Sequence, residues 1–162
     1  MQQTLEVTKQ NAIQAYNEAD SKGKELLENL YGKEVFNQKI TDRVKSFEDA
    51  LELYSKKIEP VLSNLLNYTG YNKEVISAQA TEKLKIIISV LNEDWTPDWD
   101  NSNQYKYYPY FDMSNNTLVF SHCFSWHTYS YVSSRLCLRS KELAEYCGKQ
   151  FIDLYKQSFL ML

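Results

Sequence analysis

Apolar residues recur at helical spacing through roughly the first ninety positions and at strand spacing through the next forty, so the chain reads as helices followed by a small sheet. Thr8 is placed to cap a short helix carrying Ala12, Ile13 and Tyr16. After Asp20 and Ser21 a second helix begins, with Leu26, Leu27, Leu30 and Tyr31 on one face and Gly32 as its stop. Thr41 opens an amphipathic helix in which Val44, Phe47, Leu51, Tyr54 and Ile58 recur, and Pro60 ends it because Glu59 before it is pushed out of the helical region. A short apolar segment, VLSNLLNY, follows, and Thr69 and Gly70 mark a turn.

From about Asn72 a longer helix carries Val75, Ile76, Ala80, Leu84, Ile87, Ile88 and Leu91, a stripe broad enough to pack on more than one neighbour. Beyond it KYYPYFDM, TLVFSHCFSW and SYVSSRLCL are rich in aromatic and β-branched residues and read as strands, with SNN at 114–116 as the turn between the first two. Ser140 then caps a last helix with Leu143, Cys147, Phe151 and Leu154 on its apolar face. The expected class is α+β: a helical N-terminal part, then a small antiparallel sheet packed against a C-terminal helix. The expected division is a helical subdomain over 1–58, a connector over 59–72 and an α+β module over 73–162.

Composition narrows the setting more than the function. The 162 residues carry 43% hydrophobic and 24% charged side chains, close to the globular norm, so nearly the whole chain is expected to be ordered. A net charge of -3 gives no broad attraction to a polyanion, and duplex nucleic acid is not an expected partner. With no apolar run of membrane-spanning length and no leader-like opening, a cytoplasmic protein without membrane association is expected. Cys123, Cys137 and Cys147 lack paired spacing, which fits reduced thiols.

The segment Trp95 to Tyr131 holds twelve of the twenty-three aromatic residues, including all three tryptophans. Strand alternation puts Tyr105, Tyr107 and Phe111 on one face and Tyr108 and Tyr110 on the other. A two-layer fold does not bury both faces equally, so part of this aromatic surface is expected to meet a cleft or a partner. Asp98, Asp100 and Ser102 have the spacing of a calcium loop, but Asn103 stands where that loop needs Gly and Pro109 where it needs Glu. Asp94 and Asp112 complete the acidic set, for which turn formation and capping are the default roles. His122, Cys123 and His127 lack an accompanying cysteine pair, and His122 and Cys123 fall on opposite strand faces, so neither zinc nor thiol catalysis is expected. No phosphate loop, nucleophile elbow or metalloprotease motif is present in the sequence. SSRLCLRSK at 133–141 is the candidate anion site, a helix start flanked by Arg135, Arg139 and Lys141.

The stretches WTPDWDNSNQYKYYPYFDM and VSSRLCLRSKELAEYCGKQFIDLYK, together with AYNEADSKGKELLENLYGKEVF and ITDRVKSFEDALEL, resemble a family of small proteins of gut Bacteroidales and their phages. The resemblance covers most of the chain apart from 59–72, and its motif is V-G-S-R-L-C-F-K-S-x-E-L-A-E-Y-A-G-K-Q-F. This chain has Ser133, Leu138, Arg139 and Cys147 where the motif has Gly, Phe, Lys and Ala. The resemblance implies a phage or mobile-element setting and no particular reaction. The leading expectation is a non-enzymatic binding protein, engaging a host protein or sequestering a small anionic ligand in counter-defence, without a cofactor. Its ligand-binding candidates are Trp95, Trp99, Tyr105, Tyr108, Tyr110, Arg135, Arg139 and Lys141. The alternatives are a homo-oligomeric structural component of a virion, and a small metal-dependent enzyme acting on nucleotides or nucleic acid through Asp98, Asp100, His122 or Arg135.

Overall fold

A computed structural model describes residues 7–36, 39–54, 56–93 and 95–160, and the chain separates into two compact units, Met1–Arg43 and Val44–Leu162. The division falls after Arg43, ahead of the connector expected at 59–72.

The first unit is helical. Helix α1 (Lys9–Glu18) starts at Thr8, whose hydroxyl accepts from Asn11 N, and α2 (Ser21–Tyr31) starts at Asp20 in the same way. Gly32 ends α2 with φ 87°, a left-handed conformation that glycine adopts freely. Two short helices follow, α3 (Lys33–Phe36) and α4 (Ile40–Arg43). Phe36 stacks on Tyr16 at 4.3 Å between ring centroids, and the Tyr16 hydroxyl donates to Glu28 at 2.6 Å. Contrary to the expected apolar face, Leu26 and Leu30 are exposed.

In the second unit the helix expected to run on from Thr41 is broken. Ser46 accepts from Asp49 N, while the Asp49 carboxylate accepts from the backbone N–H groups of Lys45 and Ser46. That reciprocal capping restarts the chain as α5 (Phe47–Leu53). Pro60 likewise opens a helix instead of only closing one: it sits at the first position of α6 (Pro60–Leu66), where its missing N–H costs nothing.

Helix α7 (Lys73–Leu91), capped by Asn72, is the longer helix the sequence suggested. Leu84, Ile86, Ile87, Ile88 and Leu91 are all at most 1% exposed, so α7 is covered on nearly every side of its C-terminal half. It packs on α5, α6 and the final helix α9 (Ile152–Leu160). Gln79 donates to the carbonyls of Leu66 and Tyr68, which fixes the end of α6 against it.

Strands β1 (Lys106–Asp112) and β2 (Val119–Trp126) form one antiparallel hairpin around the expected turn at Ser114–Asn116. The expected third strand is absent from the described residues. Its segment folds as a 3-10 turn over Ser134–Leu136, and only Leu138 pairs with β1, exchanging two hydrogen bonds with Tyr107. The cause is local: Ser133 accepts from Arg135 N and so offers the backbone a turn in place of a ladder. The C-terminal helix is also divided, into α8 (Lys141–Gln150), capped by Ser140, and α9, with Phe151 buried at the break.

The class is therefore α+β, with the hairpin packed against C-terminal helices. No helix among the described residues is long and apolar enough to cross a membrane.

Candidate functional site

The two faces of the hairpin have different fates. Pro109 and Phe120 lie against Gly148 of α8, and Phe111 meets Tyr155 and Phe159 of α9, so this face is closed by helices. Pro109 fits inside β1 because its neighbour Tyr107 turns its N–H and C=O outward to Leu138. By alternation the nitrogen of Pro109 also points to the outer edge, where no ladder donor is needed.

On the other face cross-strand partners stand side by side: Lys106 with Trp126, Tyr108 with Phe124, and Tyr110 with His122. Ser121 is the extra residue of a bulge, because Tyr110 pairs with His122 while Phe111 pairs with Phe120. The bulge keeps Phe111 and Phe120 together on the helix side. Tyr110, His122 and Phe124 are left as three rings within 5.0 Å of one another, centroid to centroid. Tyr110 is 49% and Phe124 40% exposed, whereas Tyr108 beneath them is 5% exposed. Beside the rings an open cleft of about 720 Å³ runs along β1, lined by Tyr108, Tyr110, Met113, Tyr131, Val132 and Phe159 among others.

At its other end the same face is closed over a lysine. Lys106 is 1% exposed and donates to the carbonyls of His127 at 2.7 Å and Asn101 at 3.2 Å, under the Trp99 ring at 5.3 Å. The Trp99 indole N–H is fastened to Ser134 Oγ at 2.8 Å, so Trp99 is a lid on Lys106. The buried Trp126 Nε1 lies near the Tyr108 hydroxyl without closing a hydrogen bond, and burial pushes the Tyr108 hydroxyl up.

A second, smaller cleft of about 150 Å³ lies between α7 and the 3-10 turn, and Trp95 and Arg135 both line it. Asn92, at the end of α7, holds that turn in place. Its amide donates to Cys137 O at 2.7 Å and accepts from Arg139 N at 3.0 Å.

The structure thus separates the expected site residues. Tyr108 and Tyr110 belong to the aromatic face, and Trp95 and Arg135 to the small cleft. Tyr105 leans on His127 at 4.0 Å. Arg139 is committed to Glu93 and to the Asn92 carbonyl, and exposed Lys141 pairs with Glu145. The α8 start is capped by its own chain: Leu143 N bonds Ser140 Oγ, and hydrogen bonds from its own N–H and from Ser140 hold the Glu142 carboxyl below its usual range. Arg135 therefore finds its setting at the small cleft, away from this helix start.

Asp98 and Asp112 cap turns, accepting from Asp100 N and Ser114 N, while Asp94 lies outside the described residues. Among the described residues no three acidic, histidine or cysteine side chains gather as a metal set. Sequence reasoning missed Phe124, Tyr131 and Lys106; the register across the hairpin, which one strand does not reveal, would have found the first.

The thiols are held protonated. Burial pushes Cys123 up to about 11 and Cys147 up to about 12, and it also raises Cys137. At neutral pH none offers a useful thiolate population. Cys147 also yields a pH prediction: the unfolded chain ionises this thiol from about 9.0, while the folded chain resists to about 12. Its stabilisation is complete below the lower value and declines as pH rises between the two, by about 1.4 kcal/mol per pH unit. Urea melts of wild type and Cys147→Ala at stepped alkaline pH check this, the expected result being a steeper decline for wild type. Parallel declines would contradict it.

Comparison with protein-family models, with curated proteins and with solved structures finds no significant match to the chain.

Proposed function

We propose that the protein is a non-enzymatic binding protein that docks a protein partner on the aromatic face of its hairpin, in the phage or mobile-element setting its motif implies. The observation that carries this is the half-open ring triad of Tyr110, His122 and Phe124, continued by exposed Met113, Val119 and Tyr131. Contiguous exposed apolar surface is costly to leave in water, and aromatic side chains concentrate binding energy at interfaces. The described aspartates Asp98 and Asp112 have local turn-capping roles, whereas the ring triad stands half open to solvent.

The test places a photo-crosslinking phenylalanine analogue at Tyr110, at Phe124 and, as control, at Tyr71, which is 96% exposed and lies outside the hairpin. Irradiation in host cells is expected to give one discrete protein adduct from the first two positions and not from Tyr71. Adducts to a second copy of the chain would replace this reading with self-assembly, and identical patterns from all three positions would overturn it.

A further inference from the structure

The small cleft is lined by three cationic residues from three separate segments: Lys56 after α5, Lys85 on α7, and Arg135 on the 3-10 turn. Tyr54, Ser89, Trp95, Thr96 and Ser134 are among the other residues that line it. Lys85, Ile88, Ser89 and Asn92 reach it together because helical spacing stacks them on one side of α7. Of the cations only Lys85 has a carboxylate partner among the described residues, Glu82 at 2.5 Å, and no described lining residue is acidic. Among the described residues three cationic side chains and one carboxylate partner, Glu82, therefore belong to the border of a space of about 150 Å³, a positive balance. An anion seated at the cleft would be drawn by this positive balance.

We infer that this cleft binds the phosphate group of a phosphate monoester. The match is of charge and of size. A monoester carries close to two negative charges at neutral pH, with acceptor oxygens suited to Arg and Lys. The volume suits a head group and falls well below the roughly 300 Å³ at which whole-ligand pockets begin, so the remainder of the ligand lies outside, against Trp95. The turn bearing Arg135 is held by Asn92 and by the Trp99 bond to Ser134, so the guanidinium is presented from a fixed backbone.

The experiment is calorimetric titration of the full chain at low salt with phenyl phosphate, inorganic phosphate and benzoate. Phenyl phosphate is expected to bind more tightly than benzoate, and Arg135→Gln and Lys56→Gln are each expected to weaken it about tenfold or more. Lys141→Gln, which lies outside the cleft, should leave binding unchanged. Equal binding of inorganic and phenyl phosphate would mark a site for the free ion, and tighter phenyl phosphate binding a site for a larger phosphorylated molecule. No binding at millimolar phosphate, or binding indifferent to both substitutions, would overturn the inference. Both variants change exposed side chains, and thermal melts matching wild type would show that they fold. Crosslinking from Tyr110 in the Arg135→Gln background separates failure here from failure of the docking role.

Discussion

Asn92→Ala is expected to destabilise the larger unit by about 4 kcal/mol and to lower its melting temperature by roughly 10 °C. The side chain is 5% exposed and both ends of its amide are used, one on Cys137 O and the other on Arg139 N. Truncation removes the donor from a carbonyl whose residue is wholly buried and the acceptor from a backbone N–H, and each orphaned group costs about 1–3 kcal/mol. Arg139→Ala is the contrast. Its side chain is 34% exposed and that of its partner Glu93 50% exposed, so solvent screens the pair and the loss should stay within about 1 kcal/mol. Thermal melts of the two variants check the ranking. Equal small shifts would show that the segment over 133–139 does not depend on α7 for its position. The same clamp presents Arg135 to the small cleft, so Asn92→Ala is also expected to weaken phosphate binding although it removes no charge.

Helices whose start depends on one residue were legible in the sequence. Thr8 and Ser140 cap α1 and α8 as their positions suggested, the longer helix begins at Asn72 as expected, and the Val75 to Leu91 pattern marked its buried stripe. Periodicity failed where local side-chain bonding competes with it. The Val44, Phe47, Leu51 spacing ran across a break that Ser46 and Asp49 impose, and SYVSSRLCL had strand composition but serines that favour a turn. The candidate site was half legible for a related reason. Alternation along β1 correctly separated Tyr110 from Phe111, but the partners that make Tyr110 a surface, His122 and Phe124, come from a register shifted by the Ser121 bulge. The three cations of the small cleft lie 29 and 50 residues apart in sequence, so only the folded chain brings them together.

Gly148→Ala is expected to destabilise the protein by about 2 kcal/mol, against the gain of about 1 kcal/mol that the exchange brings in an unobstructed helix. Gly148 lies inside α8, where glycine is a poor helix former, and its fitness comes from the space it leaves for the hairpin. A Cβ at this position would lie 2.6 Å from Pro109 Cβ and 2.7 Å from Phe120 Cδ2. Neither neighbour yields easily. Pro109 is a rigid ring in a paired strand, and Phe120 is held edge-on to Phe111 with Lys149 over its face. The added methyl therefore pushes α8 away from the sheet and opens the layer that contains Cys147 and Tyr155, both at most 3% exposed. Phe120→Ala in the same chain should restore only part of the loss, since the Pro109 contact remains. Chemical denaturation of the single and double variants decides the matter. A Gly148→Ala protein more stable than wild type would mean that α8 and the hairpin do not meet as closely as these distances require, and full recovery with Phe120→Ala would assign the whole conflict to one ring.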